Sequence, residues 1–234
     1  MQLFARDAEG GWVLDETAMV AGDFRIDADG WMRFAIFMRP GVGPGRTGRV
    51  VHRLVELETY RAMSMLGLGR SRGLSRRLNE LEPRVSAIVD AMDDDRRPAE
   101  AVLQDLLEVA AELEYQAVRH SFRFGATKAY EAIVMDRLAA LRETRFMGRQ
   151  MLTEFMRRRY QPAMRTAKSA ERRLATMLER TARAAELLRD DLEAKGPVRV
   201  SDVEAAQKEI LTIARRMAEA GEIVLGGKGG EEMV

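Results

Sequence analysis

The sequence predicts a mainly α fold, an elongated antiparallel helical or coiled-coil bundle with a small N-terminal β-hairpin. Three observations point there. From about residue 47 onward, apolar residues recur three and four positions apart, as in helices that bury one stripe. Period-two alternation and tight-turn residues are confined to roughly the first forty positions. Hydrophobic residues make up 46% of the 234, enough for a packed core. About two-thirds of the chain reads as helix, well above the globular average.

Gly11–Leu14 and Phe24–Asp27 are short strand candidates, and Asp27-Ala28-Asp29-Gly30 is a turn signal. Trp31–Met38 reads as a strand, so 24–38 is expected to form a β-hairpin. A lone hairpin is marginal and must pack on something, here the helices that follow. Arg39–Gly48 is a Pro/Gly loop. Helix one is expected over about 47–66, burying Val51, Leu54, Val55 and Tyr60. A glycine loop at 67–73 separates it from helix two, 74–92, with a kink at Pro83. Asp93–Asp95 is a helix stop, and Pro98 suits the first turn of helix three.

Helix three carries Leu103, Leu106, Ala110, Leu113 and Ala117, a 3,4 seam of the antiparallel-hairpin kind. Gly125 is expected to interrupt it before a segment at 126–142. A long helix runs from about Phe146 to Ala194 with a bend at Pro162. Its later part shows Ala170, Leu174, Met177, Thr181, Ala184 and Leu188 on heptad spacing, and Gly196-Pro197 ends it. Ser201-Asp-Val-Glu204 is a capping box opening a last helix, which Gly221 ends before a short tail.

Cysteine is absent, which removes disulfides and thiolate metal sites and fits a reducing compartment. The formal net charge of +1 gives no global pull toward nucleic acid, and no nucleic-acid partner is expected. Locally, residues 1–30 are acidic. Residues 142–173 are basic and include Arg157-Arg158-Arg159, either a solvated helix face or a patch for an anionic membrane surface. No apolar run approaches the ~20 residues that span a bilayer, and the N-terminus has no signal-peptide stretch. The expected location is the cytoplasm or, peripherally, the inner membrane.

Gly43-Pro-Gly45-Arg-Thr-Gly48 fits G-x-G-x-x-G, but helix follows where a dinucleotide fold needs a second parallel strand. It reads as an ordinary loop and helix start. Gly226-Gly-Lys228 has no Ser or Thr after the lysine and fails as a phosphate loop. The two histidines, His52 and His120, lie on separate helices, with no carboxylate at metal-ligand spacing. His120 falls on the helix-three seam and is expected to pack there. No catalytic residue, metal site or cofactor is expected, and the chain is read as a non-enzyme.

Phe24–Gly30, Gly48–Arg61, Phe122–Tyr130 and Gln161–Thr166 together resemble, in register over about 20–189, a predicted membrane-anchored bacterial family, domain of unknown function 3422. That resemblance implies helical coiled-coil structure followed by C-terminal membrane helices, and no catalytic residues. Arg183-Ala-Ala-Glu-Leu-Leu-Arg-Asp190-Asp191, Gly196-Pro197-Val-Arg199-Val-Ser201 and the run to Gly227 resemble the C-terminal end of the FliG family of flagellar motor switch proteins, over about 183–234. There the resemblance implies a charged rotor helix that meets the stator, at Arg183, Asp190, Asp191 and Arg199, and a location at the flagellar base.

Three regions are therefore expected: a β-hairpin region at 1–46, a helical coiled-coil region at 47–189 and a FliG-like segment at 183–234. The expected function is a helical interaction or scaffold protein, related to motility through contact with flagellar rotor or stator proteins. The alternative is a coiled-coil scaffold associated with the cell envelope. Arg183–Arg189 resembles both families, and the Ala184/Leu188 seam runs through the join.

Overall fold

In the computed structural model, residues 9–92 and 97–195 are described, together with Lys208, Leu211, Thr212, Arg215 and Arg216. The elements in order are β1 (Glu9–Val13), β2 (Ala18–Gly22), β3 (Phe34–Met38), α1 (Pro44–Met92), α2 (Ala99–Ala140), β4 (Thr144–Arg145), α3 (Leu152–Phe155), a π-helical turn (Met156–Tyr160) and α4 (Gln161–Lys195). The fold is mainly helical: three long packed helices and a small antiparallel sheet. The chain packs as two units, Met1–Met65 with Tyr130–Arg165, and Leu66–Ala129 with Thr166–Val234.

The first unit holds a four-stranded antiparallel sheet in the order β3-β2-β1-β4. β2 alternates strictly, with Ala18, Val20 and Gly22 buried. Val13, Ala18 and Val20 pack on Val50, Leu54 and Leu57 of α1, Val134 and Leu138 of α2, and Leu152, Met156, Tyr160 and Met164. α1 and α2 run antiparallel, since Arg53 donates to the Ala140 carbonyl (2.8 Å) and Arg137 to Glu56 (2.8 Å). Val51 and Val55, expected inside, are exposed: the buried stripe of α1 is the neighbouring one through Val50, Leu54 and Leu57.

The expected hairpin at 24–38 is corrected. The hairpin is β1–β2, and β3 joins it through Ala18↔Met38 to Gly22↔Phe34. The turn at Asp27–Gly30 is present, with Gly30 N–H donating to the Asp27 carbonyl (3.0 Å). Phe24–Asp27 is not a strand: local side chains capture one N–H within it and two just beyond it. Asp23 Oδ1 accepts from Arg25 N–H (3.1 Å), and Asp27 Oδ1 from the N–H groups of Asp29 (3.0 Å) and Trp31 (2.9 Å). These bonds hold the Asp27 carboxyl below its usual range, the one to Trp31 most. Phe24 instead stacks on Phe155 at 4.5 Å.

The second unit packs the later part of α1, the earlier part of α2 and α4 around Leu74, Leu78, Leu81, Val85, Leu106, Val109, Leu113, Leu174, Met177 and Leu178. Arg77 pairs with Glu112 (2.8 Å) and Arg84 with Glu108 (3.1 Å), an antiparallel order for α1 and α2. Arg173 reaches Asn79 (2.6 Å) and Glu82, and Arg180 reaches Ser86 (3.3 Å), so α4 runs parallel to α1. The predicted α4 seam is buried throughout, from Ala170 to Leu188. His120 is buried on the α2 seam against Phe124.

Two expected breaks are absent. α1 continues through the glycines at 67–73, and α2 continues through Gly125. Gly67 is a contact rather than a loop, since a Cβ there would fall 2.2 Å from Thr127 Oγ1. Helical hydrogen bonds and flanking burial outweigh the roughly 1 kcal/mol each glycine costs. The long helix expected from Phe146 begins at Leu152, because 144–145 pairs with β1 and Gly10 N–H donates to the Gln150 carbonyl (2.8 Å). Before Pro162 the helix widens into the π turn, with Gln161 N–H reaching back to the Met156 carbonyl. A π turn relieves the clash between a proline ring and the carbonyl four residues earlier.

Candidate functional site

Four positions carry the expected FliG-like charged face. Arg183 and Asp190 lie toward solvent on α4, Arg183 exposed and Asp190 with its side chain 60% accessible, and Asp191 is also on this helix. Glu186 and Leu187 are between them, Leu187 being 59% exposed, while Ala184, Ala185 and Leu188 on the other side are buried in the core. With 3.6 residues per turn, Arg183, Leu187 and Asp190 form one outward stripe two turns long. Asp190 accepts from its neighbour Arg189 (2.9 Å), so that carboxylate is already partly neutralised. Arg199 lies outside the described residues, as do the capping box at 201–204 and the tail. α4 passes through 182–189 without a break, which the heptad register there requires.

The basic stretch behaves differently along its length. Arg142 pairs with Asp15 (2.6 Å), Arg145 with Glu154, and Arg173 with Glu82. Arg157, Arg158 and Arg159 are exposed on the π turn, between buried Met156 and Tyr160. A π turn holds one more residue than an α-helical turn. Three consecutive arginines therefore fit on the solvent side while the residues flanking them stay inside.

The glycine motif Gly43–Gly48, expected as a loop, forms the first turn of α1 from Pro44 onward, and every strand pairing is antiparallel, so no dinucleotide-binding βαβ unit forms among the described residues. A groove of about 570 Å³ nevertheless opens beside it, lined among others by Asp15, Glu16, Arg39, Arg46 and Arg49. A smaller hollow of about 280 Å³ adds Arg53 and Arg142. Arg39 is committed to Glu16 and lies over the Trp12 ring at 4.8 Å, and Arg142 to Asp15. Sequence reasoning missed this arginine cluster. Its signal is the 46, 49, 53 spacing, which places three arginines on one helix face. Arg39, after β3, and Arg142, after α2, reach it by pairing with Glu16 and Asp15 between β1 and β2.

Histidine chemistry does not assemble. His52 lies on α1 with Glu56 four residues on and 4.0 Å away, a helical spacing that corrects the expectation of no nearby carboxylate, and His120 lies on α2. Burial, then Arg119 and Arg70, push the His120 imidazole below its ordinary value. Among the described residues, no group of three or more His, Cys, Asp or Glu could hold a metal ion. Nor is any helix among them long and apolar enough to cross a membrane.

Comparison with known proteins gives two separate likenesses. A segment of 52 residues is 90% identical to the flagellar motor switch protein FliG of Pseudomonas aeruginosa, covering 22% of this chain and 15% of that protein. The FliG of Vibrio cholerae is 71% identical over 49 residues, covering 21% of this chain and 14% of its own length. That of Thermotoga maritima is 60% identical over 52 residues, covering 22% and 16%. The chain thus matches only 14–16% of the length of these relatives. No solved structure matches the chain. The family profile described as "Protein of unknown function (DUF3422)" matches residues 2–197, the greater part of the sequence, and the chain belongs to that family.

Proposed function

We propose that this protein is a non-enzymatic helical interaction protein whose C-terminal segment contacts flagellar rotor or stator proteins. The observation that carries the reading is the 90% identity of a 52-residue segment to a flagellar motor switch protein. The outward placement of Arg183 and Asp190, with the seam beneath them buried, supports it. Charges of both signs on one rigid face suit fast, reversible, steered contact with a complementary face. By resemblance to the FliG family, Arg199 is proposed as a further contact residue.

The test is recovery of flagellar rotor and stator proteins on the immobilised full chain, comparing wild type with Asp190→Arg/Asp191→Arg. The reading predicts recovery that the double substitution abolishes. Equal recovery by both, or none by either, overturns it. A non-enzymatic role also predicts that nucleotides leave the melting temperature unchanged. A rise would instead mark a phosphate site at the Gly43–Gly48 groove.

A second reading, a scaffold at the cell envelope, is favoured by one observation: the three exposed arginines at 157–159. It predicts salt-sensitive co-sedimentation with anionic vesicles, lost in Arg157→Glu/Arg158→Glu/Arg159→Glu. Failure to sediment at low salt removes it.

A further inference from the structure

α2 has two apolar seams, and among the described residues only one of them is packed. Val102, Leu106, Val109, Leu113, Ala117 and Phe124 face the core. On the opposite side, Ala111, Tyr115, Val118 and Phe122 are exposed, and the series continues to half-buried Gly125 and Ala129. Their spacing is 4, 3, 4, 3, 4, the heptad repeat of a coiled-coil interface. Tyr115 is 55% exposed, Val118 67% and Phe122 80%. Large apolar side chains at this exposure, aligned on one stripe, mark a surface that another apolar surface covers.

We propose that this face pairs with the same face of a second copy of the chain, as a parallel, in-register coiled coil about a twofold axis. The charges beside the seam identify the occupant. In heptad terms Tyr115 and Phe122 take a positions and Ala111, Val118 and Gly125 take d positions. Glu114 is then at g and Arg119 at e. In a parallel dimer each g residue meets the e residue five positions on in the partner helix. Glu114 of one copy therefore meets Arg119 of the other, twice by symmetry. Two other charges at flanking positions are committed within the chain, Glu112 to Arg77 and Lys128 to Glu171. Arg119 lies over the Tyr115 ring at 5.8 Å, which holds its guanidinium beside the seam. Such rim pairs contribute little binding energy, and here they fix orientation. The seam lies within one packing unit.

The chain has no cysteine, so a single introduced thiol reports alone. In a parallel in-register dimer Val118 faces its own copy. The full-length Val118→Cys chain should therefore oxidise to a covalent dimer, whereas Ser169→Cys, an exposed site on α4, should not. Sedimentation equilibrium of the wild type at high micromolar concentration should give twice the 26.4 kDa of one chain. Phe122→Glu should return it to monomer with an unchanged circular-dichroism spectrum, which separates loss of pairing from loss of fold. Glu114→Arg should weaken association, and adding Arg119→Glu should restore it. A wild type that stays monomeric overturns the proposal. So does a dimer that Phe122→Glu leaves intact, or one in which the Val118→Cys chain fails to cross-link.

Discussion

Gly67 of α1 faces Thr127 of α2 so closely that a Cβ on the glycine would fall 2.2 Å from Thr127 Oγ1 and 2.8 Å from Cγ2. Thr127 Oγ1 is itself bound to the Arg123 carbonyl (2.7 Å), so it does not readily swing aside. Alanine favours helix over glycine by about 1 kcal/mol. The overlap opposes that gain and is the larger effect, since overpacking costs about 1–3 kcal/mol. Gly67→Ala is expected to destabilise in urea unfolding, and adding Thr127→Ala to recover most of the loss. Gly69 supplies the contrast, with nothing within 4 Å of a built Cβ, so Gly69→Ala should stabilise by about 0.5–1 kcal/mol. Equal effects at the two glycines would refute the close contact.

Tyr160 hydrogen-bonds Ser64 at 2.8 Å inside the first unit. Burial pushes its phenol up to about 12 from an ordinary 10. The folded state therefore favours the neutral phenol. That contribution is complete below pH 10 and is lost as pH rises toward about 12. Tyr160→Phe should flatten the alkaline loss of stability in that window, measured as urea midpoints against pH. At neutral pH, Ser64→Ala should cost about 1–3 kcal/mol, because it strands the buried phenol oxygen.

Glu143 caps a helix from outside it. Its carboxylate accepts from the N–H groups of Leu152 (2.6 Å) and Thr153 (2.9 Å) and from Thr153 Oγ1 (3.0 Å). These backbone donors would otherwise be unpaired at the start of α3. Glu143→Ala should cost about 1–2 kcal/mol, with Glu143→Gln between it and wild type. Hydrogen exchange should speed up first at Leu152 and Thr153. Unchanged protection there would exclude the capping role.

His120 predicts the acid limb. Its imidazole is buried beside Phe124, its Nδ1 has no hydrogen-bond partner, and its folded pKa lies below the ordinary 6.5. The unfolded chain binds this proton first, so stability falls as pH drops below about 6.5. His120→Leu should remove that slope. Unfolding at about pH 7.5 and about pH 5.5 compares the two. An identical slope in both proteins would show that His120 does not titrate this way.

Much of this was legible beforehand, for identifiable reasons. The seam Ala170–Leu188 repeats over several helical turns, and a pattern of that length admits one reading. His120 lay on a seam, and it is buried. Shorter signals were outweighed. Glycines at 67, 69 and 73 suggested a loop, yet one of them sits in a helix contact and all remain helical. Phe24-Arg-Ile-Asp27 had strand composition, but Asp23 and Asp27 take its neighbouring N–H groups. On the candidate charged face, periodicity placed Arg183 and Asp190 together, as the structure does. It gave no hint that Arg39 and Arg142 join Arg46 and Arg49.

The sequence by itself determined the helical class, the buried seam of α4 and the family, because these depend on periodicity and on residues close in the chain. Only the tertiary structure decided where helices stop, which strands pair and which apolar stripe is left outside. Those outcomes depend on competition between distant groups: Thr127 against Gly67, Glu143 against the start of α3, and β2 choosing both β1 and β3. Hydrogen bonds and packing across such distances leave no local pattern to read.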